Sequence, residues 1–286
     1  MKEIVFLNGE YIESDKAKVS VFDRGFLFGD GIYEVVPVVG YKVLDREPFL
    51  DRLERSLNEL ELKWPISRGK FLEMIDELVK RNDIKEGGIY MQVTRGVAPR
   101  DFAYPENTPT TIMAFGFKKD IIDNPLALCG IKVVTVEDIR WKRRDIKSIA
   151  LLGQCMAKEE AKREGAYEGW MVEDGFITEG TSSSAYIVKN GVIITRPLSN
   201  SILPGIRRKL LIKIANEHNI KIEERLFTPQ EALMADEAFL SSATTFVLPI
   251  VEIDGKKIGE GKPGEVFKKM RKMYIESALK IAGIAL

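Results

Sequence analysis

Val136-Glu137-Asp138-Ile139-Arg140-Trp141-Lys142-Arg143-Arg144-Asp145-Ile146-Lys147-Ser148 occupies the middle of the chain. An apolar-alternating run, Ile131 to Val136, leads in, and a helical pattern, Ala150 to Glu164, leads out. The stretch therefore reads as a strand-to-helix junction. Within it Lys147 stands out, because Ile146 precedes it and Ile149-Ala150-Leu151-Leu152 follow Ser148. A lysine turned inward among such neighbours is partly desolvated. Burial favours the neutral amine, which is a nucleophile. The ordinary alternative keeps the stem on apolar surface and the ammonium in water. Taken alone, the stretch favours that alternative, since lysines are almost never fully buried.

Outward from this stretch, 286 residues allow two modest domains or one large one. An apolar fraction of 45% and a charged fraction of 30% are those of a soluble globular protein. Forty-three residues of each sign cancel, which argues against a nucleic-acid or acidic-membrane surface. No apolar run reaches the length of a membrane span. The first residues read as a strand, without the parts of a signal peptide, so a cytoplasmic protein is expected. Cys129 and Cys155 lie far apart, which supports neither a disulfide framework nor a thiolate metal site. His218 is the sole histidine and reads as the end of a helix. Without a second histidine, Ser-His-Asp hydrolysis and multi-histidine metal chemistry are unfavoured.

Turn residues punctuate the rest. Asn8-Gly9 between Ile4-Val5-Phe6-Leu7 and Glu10-Tyr11-Ile12 predicts a hairpin. Pro48 is read as opening a helix with Phe49, Leu50, Leu53, Leu57 and Leu60 on one face and Arg52 beside it. Ser67 caps a second helix, which Gly87-Gly88 is read as breaking. Residues 89–94 and 110–117 read as strands, and 118–125, ending in Asn-Pro, as a linker. Glu173-Asp174-Gly175 joins another hairpin, whose second strand runs into Glu179-Gly180-Thr181-Ser182-Ser183-Ser184. Leu203-Pro204-Gly205-Ile206 opens a helix to about His218, and Thr228-Pro229 opens another. Hairpins outnumber clear βαβ units, so the fold reads as α+β with largely antiparallel sheets. The expected division is 1–117, a linker over 118–125, and 126–286.

Four features suit one cofactor. Lys147 can form an imine with an aldehyde. Glu179, at a strand end, can face a positively charged ring nitrogen. Gly205-Ile206 offers helix-start amides to a phosphate, and Arg52 a charge-assisted bond to it. Aldehyde, ring nitrogen and phosphate are the handles of pyridoxal 5'-phosphate (PLP). Singly, each residue has an ordinary role; the four together shift the balance.

The chain resembles the fold-type IV PLP enzymes, most closely the D-amino acid aminotransferases. The likeness is carried by Phe28-Gly29-Asp30-Gly31-Ile32-Tyr33-Glu34, Asp51-Arg52-Leu53, Tyr90-Met91-Gln92-Val93-Thr94-Arg95-Gly96, Asp145-Ile146-Lys147-Ser148, Thr178-Glu179-Gly180 and Ile202-Leu203-Pro204-Gly205-Ile206. The resemblance implies a small α/β N-terminal domain, a larger pseudo-barrel C-terminal domain, PLP between them, and a homodimer. It makes Lys147 the Schiff-base lysine and Glu179 the partner of the pyridine nitrogen. Arg52 and the Gly205-Ile206 amides become the phosphate cup. It places Tyr33, Tyr90, Arg100 and Phe102 in the substrate region. The activity implied is ping-pong transfer of the amino group of D-amino acids, such as D-alanine and D-glutamate, to 2-oxo acids.

Three positions depart from the family pattern. Phe102 stands where a histidine usually assists Arg100, and phenylalanine donates no hydrogen bond. Arg207 replaces a threonine after Gly-Ile. Ala243 replaces a phosphate-binding threonine, leaving its backbone N–H and the neighbouring Thr244. The alternatives are a branched-chain L-amino acid aminotransferase, a 4-amino-4-deoxychorismate lyase, or a non-catalytic α+β binding protein with a snorkelling Lys147.

Overall fold

The computed structural model describes residues 3–284. Contacts divide the chain into two units, one of residues 3–120, 146–151 and 281–284, the other of 121–145 and 152–280.

The first unit opens with β1 (Ile4–Leu7) and β2 (Glu10–Glu13), then α1 (Arg24–Phe28), β3 (Gly31–Val39), β4 (Lys42–Val43), α2 (Arg46–Glu59), α3 (Arg68–Arg81), β5 (Glu86–Thr94) and β6 (Thr111–Lys118). Its sheet runs β2-β1-β6-β5-β3-β4, antiparallel throughout. The Asn8-Gly9 hairpin forms as expected, with both residues at positive φ (49° and 102°), the geometry of a type I′ turn. The Ser67 side chain caps α3, which buries Phe71, Met74, Ile75, Leu78 and Val79. Each such side chain contributes about 1.5–3 kcal/mol of apolar burial.

Two sequence expectations need correcting here. α2 begins at Arg46, two residues before Pro48. A proline in the first turn is tolerated, because its missing N–H has no intrahelical partner there. Gly87 and Gly88 break no helix, since α3 has ended at Arg81 and both lie in β5. They are small because β6 passes close by. A Cβ on Gly87 would fall 2.0 Å from the Phe117 carbonyl oxygen, and one on Gly88 2.7 Å from the Phe117 ring.

The second unit continues with α4 (Leu126–Cys129), β7 (Ile131–Glu137), α5 (Leu152–Arg163), β8 (Glu168–Glu173), β9 (Phe176–Gly180), β10 (Ser184–Lys189), β11 (Val192–Thr195), α6 (Ile206–Glu217), β12 (Ile222–Glu224), α7 (Pro229–Leu233), β13 (Glu237–Ser242), β14 (Phe246–Ile253), β15 (Lys256–Lys257) and α8 (Glu265–Ile281). The sheet order is β12-β11-β10-β13-β14-β7-β8-β9, with β15 paired to β14. Trp170, Phe227, Leu240, Leu248 and Ile250 share one core cluster. Thr228 and Glu231 form the reciprocal capping box that opens α7. His218 is the exposed C-cap of α6.

α+β in two units with largely antiparallel sheets holds, and this sheet adds three parallel pairs to its five antiparallel ones. β7 pairs with β8, β11 with β12, and β14 with β7 in parallel. The first two pairs are joined by α5 and α6 as crossover helices, the only short route between parallel neighbours. The segment 146–151 also departs from the expected division, grouping with the first unit although it lies inside 126–286. No helix among the described residues is long and apolar enough to cross a membrane.

Candidate active site

Lys147 lies on no strand-to-helix junction. α5 begins five residues later, at Leu152. β4 has only two residues and pairs with Val38 and Val39, so the Gly31–Tyr33 end of the β3 edge is open. Residues 147–149 take that edge. The Tyr33 N–H donates to the Lys147 carbonyl at 2.9 Å and the Ile149 N–H to the Gly31 carbonyl at 3.0 Å, with Ser148 bridged to Ile32. Strand alternation then sorts the side chains. Ile146 and Ser148 are buried (4% and 6% exposed), whereas Lys147 is half-buried. Its Nζ stands 4.1 Å from the centre of the Tyr33 ring. A cation there is held by the ring's quadrupole.

Tyr33 and Tyr90 stack with ring centres 5.6 Å apart, and Tyr90 stacks on Phe115 at 5.0 Å. The Tyr90 hydroxyl donates to the Gln92 side chain at 2.9 Å. Burial first, and the nearby Tyr33 second, push the Tyr90 phenol up to about 12. One sheet face thus gathers Lys147, Tyr33 and Tyr90. Arg52 is elsewhere in the same unit. Its Nε and Nη2 donate to Glu34 Oε1 and Oε2, each at 2.7 Å, and the Glu34 side chain is fully buried. Ser56, one turn further along α2, accepts from the Lys147 N–H at 3.4 Å. Arg100 and Phe102 lie in an exposed loop, with the Arg100 guanidinium 5.5 Å from the Phe28 and Phe102 ring centres.

In the second unit, Glu179 is the penultimate residue of β9 and is 6% exposed. Its carboxyl accepts from Arg140 Nη1 at 2.6 Å and from the Leu203 N–H at 3.2 Å. Burial pushes this carboxyl above its ordinary range, against the pull of Arg140 and Leu203. Arg140 is shared. Its Nε and Nη2 grip Asp138 Oδ1 and Oδ2 at 2.9 and 2.7 Å. Asp138 also accepts the Thr178 hydroxyl at 2.7 Å. Burial alone would raise its pKa, but the bonds to Arg140 and Thr178, with Arg144 nearby, bring it below the usual range. The turn after β9 is held by the buried Glu168, which accepts from Thr181 Oγ1 at 2.9 Å, the Ser182 N–H at 2.7 Å and Ser183 Oγ at 2.6 Å.

The Leu203 amide links Glu179 to the start of α6, where Gly205 is the N-cap and supplies no capping side chain. Arg207 is buried on this helix. A Cβ on Gly205 would come 3.0 Å from Ser184 Oγ, and Ser184 pairs across the sheet with Ser241. β13 then runs into the Ala243-Thr244-Thr245 turn. Buried Arg271 holds the turn, donating to the Thr245 and Val247 carbonyls at 3.1 and 2.6 Å on either side of Phe246. Phe246 needs holding, because its φ is 54°.

Each unit thus offers groups that fit PLP. The first has an amine on an aromatic face and a braced guanidinium. The second has helix-start amides without a side-chain cap and a buried carboxyl paired with Arg140. Reading for single residues misses Arg140, Asp138, Glu168 and Glu34. The one signal for the first two is the spacing Asp138-x-Arg140 in the mid-chain stretch, which lets a side-chain fork close on itself.

Over residues 31–253 the chain matches the family model Amino-transferase class IV. It is 42% identical to the D-alanine aminotransferase of Staphylococcus haemolyticus, covering 96% of this chain and 98% of that protein. It is 36% identical to that of Bacillus licheniformis, covering 96% and 97%. Its fold is similar to the T.th. branched-chain amino acid aminotransferase solved with pyridoxamine 5'-phosphate (TM-score 0.92, 23% identity, covering 100% and 96%). It is also similar in fold to the Escherichia coli branched-chain enzyme (TM-score 0.91, 24% identity, covering 97% and 95%).

Proposed function

The chain belongs to the class IV aminotransferases, and from that premise we propose that it is a PLP-dependent transaminase moving the amino group of D-amino acids, such as D-alanine and D-glutamate, to 2-oxo acids. The observation that carries this reading is the full-length likeness to D-alanine aminotransferases. The likeness to branched-chain enzymes stays below 25% identity in the two structures compared and concerns the fold.

When bound, PLP supplies an aldehyde that takes the amino group and a ring that accepts the electron pair left when the Cα–H bond breaks. Lys147 Nζ would hold that aldehyde and would serve as the general base for the Cα proton. Ser56 and the β3 edge fix its backbone, and the Tyr33 ring holds its tip. Glu179 would face the ring nitrogen and favour its protonated form. The Gly205-Ile206 amides, Ala243 N–H and Thr244 would offer donors to the phosphate, and Arg52, oriented by Glu34, would offer its charge. Tyr33, Tyr90 and Arg100 receive the substrate, and Phe102 adds apolar surface where the family has a hydrogen-bond donor.

We assign the chain to the cytoplasm, with 118–125 as the connector between domains 1–117 and 126–286, and to a homodimer. Support for pairing comes from exposed Val19, Val21, Phe22, Phe26 and Phe102 (53–78% exposed) in the first unit. Light scattering on the purified protein tests it: a monomeric mass removes the dimer.

The function is tested by offering D-alanine or L-leucine with 2-oxoglutarate and resolving the glutamate formed on a chiral column. D-glutamate from D-alanine is expected; L-glutamate from L-leucine alone overturns the reading. Lys147→Ala should lose the visible cofactor absorbance and at least about 10²-fold in turnover.

A further inference from the structure

Glu179 faces a difficulty that its own contacts do not resolve. To keep a proton on a ring nitrogen, a carboxylate must stay negative, yet Arg140 Nη1 already sits 2.6 Å from it. A buried arginine that close would ordinarily cancel its charge. The remaining bonds of Arg140 point the other way. Nε, Nη2 and the backbone N–H all donate to Asp138, at 2.9, 2.7 and 3.2 Å. Asp138 is fully buried, and the Arg140 side chain is 6% exposed, so water screens neither charge.

We propose that Asp138 is a positioning residue for the cofactor: by taking up the charge of Arg140 it leaves Glu179 with an uncompensated negative charge, reserved for the protonated ring nitrogen. The inference rests on the PLP reading above.

The local charge count carries it. Asp138, Arg140 and Glu179 sum to one negative charge, and a pyridinium proton brings the group to neutrality. The next charges outward do not upset this. Arg144 reaches Asp138 only at 3.5 Å and is committed to Glu173 through a two-point fork of 2.6 and 2.7 Å. Arg196, further out and half-buried, donates to the Ile177 carbonyl at 3.3 Å. With Asp138 neutral, Arg140 and Glu179 close into a neutral pair, and an added ring proton would lie beside an uncompensated guanidinium. Like charge that close in a buried site disfavours protonation. Thr178 holds Asp138 in register, and Thr178 directly precedes Glu179 on β9, so the fork and the carboxylate are fixed by one strand.

The test reads the ring nitrogen itself. Holoenzyme is reconstituted with PLP labelled with ¹⁵N in the ring, and the ¹⁵N shift is followed against pH. Asp138→Asn should lower the pH at which the ring nitrogen loses its proton by at least about one unit, a tenfold change in protonated fraction. Arg140→Gln, which leaves two carboxylates and no cation, should move it the opposite way. A brace that only supports the 138–140 turn would lower stability or cofactor occupancy in both variants without shifts of opposite sign. Unchanged profiles, or shifts of the same sign, overturn the proposal. If Asp138→Asn does not fold, the Arg140→Gln shift alone decides, upward in favour and downward or absent against. A wild-type protein that takes up no PLP would instead defeat the PLP reading, a result visible before any variant is made.

Discussion

Two buried forks use the same pair of residue types to opposite ends. In the first unit Glu34 grips Arg52 through Nε and Nη2, and the acid serves the arginine by fixing where its positive charge lies. In the second unit Asp138 grips Arg140 through the same two nitrogens, but a third group, Glu179, takes the remaining one. There the arginine is consumed and the acid beyond it matters. A fork with one acid is net neutral and fixes where the positive end lies; a fork with two acids carries one net negative charge. Stoichiometry decides the net charge.

The sharpest way to break the comparison is Glu34→Gln. It leaves the Arg52 charge in place with its buried counterion gone, and losing one partner of such a pair costs about 3–5 kcal/mol. The expected outcome is a matching drop in unfolding free energy by denaturant titration. Stability unchanged within about 1 kcal/mol would show that Arg52 does not depend on the fork.

Glu179→Gln should act differently. The Arg140 it leaves behind keeps its two-point fork to Asp138, so stability should change by no more than about 1 kcal/mol. Turnover should fall by about 10²-fold or more, as expected when a proton-holding group is removed. A larger loss of stability than of turnover would make Glu179 a structural acid like Glu34.

Acid titration sharpens the contrast further. The folded pKa of Asp138 lies below its ordinary 3.8. Its pairing therefore stabilises the fold above 3.8, and that contribution fades as pH falls through the lower folded value. In Asp138→Asn the acid limb of thermal stability should be shallower than in the wild type; identical limbs would remove Asp138 from the linkage.

The smallest effect belongs to Tyr90→Phe, which gives up one neutral hydrogen bond to Gln92, worth about 0.5–1.5 kcal/mol. In the wild type this tyrosine should stay un-ionised until near pH 12. Since an unfolded tyrosine ionises near 10.0, stability should fall between those values. Ultraviolet titration showing full tyrosine ionisation by pH 11 in folded protein would contradict the burial assigned to it.

Much of the fold was legible because local chemistry forces it. Asn8-Gly9 accepts positive φ at two successive positions, Ser67 and Thr228 satisfy helix-start amides, and the α3 apolar stripe has helical spacing. The parallel pairs were not legible, because β7 with β8 and β11 with β12 meet only through crossovers, and pairing partners leave no mark in either strand. In the candidate site, the residues proposed for an isolated chemical role, Lys147, Glu179, Arg52 and Gly205, stand out as candidates in the sequence. Those acting through another residue do not. Asp138 and Arg140 look like two more charges in a charged stretch until the backbone closes their fork. The edge of β3 that receives Lys147 is open only because β4 stops after two residues, a fact about the sheet and invisible at position 147.

That open edge bears on how the protein can be taken apart. Residues 146–151 are donated by the chain to the first unit long after it has left that unit. Cutting within 118–125 to obtain a portable N-terminal module would strip the module of its amine and leave the β3 margin bare. Shuffling homologous halves at that point would pair a lysine-bearing segment from one parent with a docking groove from another. Viable chimaeras should therefore inherit 146–151 and Gly31–Tyr33 from the same ancestor, and recombination libraries sorted for colour would reveal that co-inheritance.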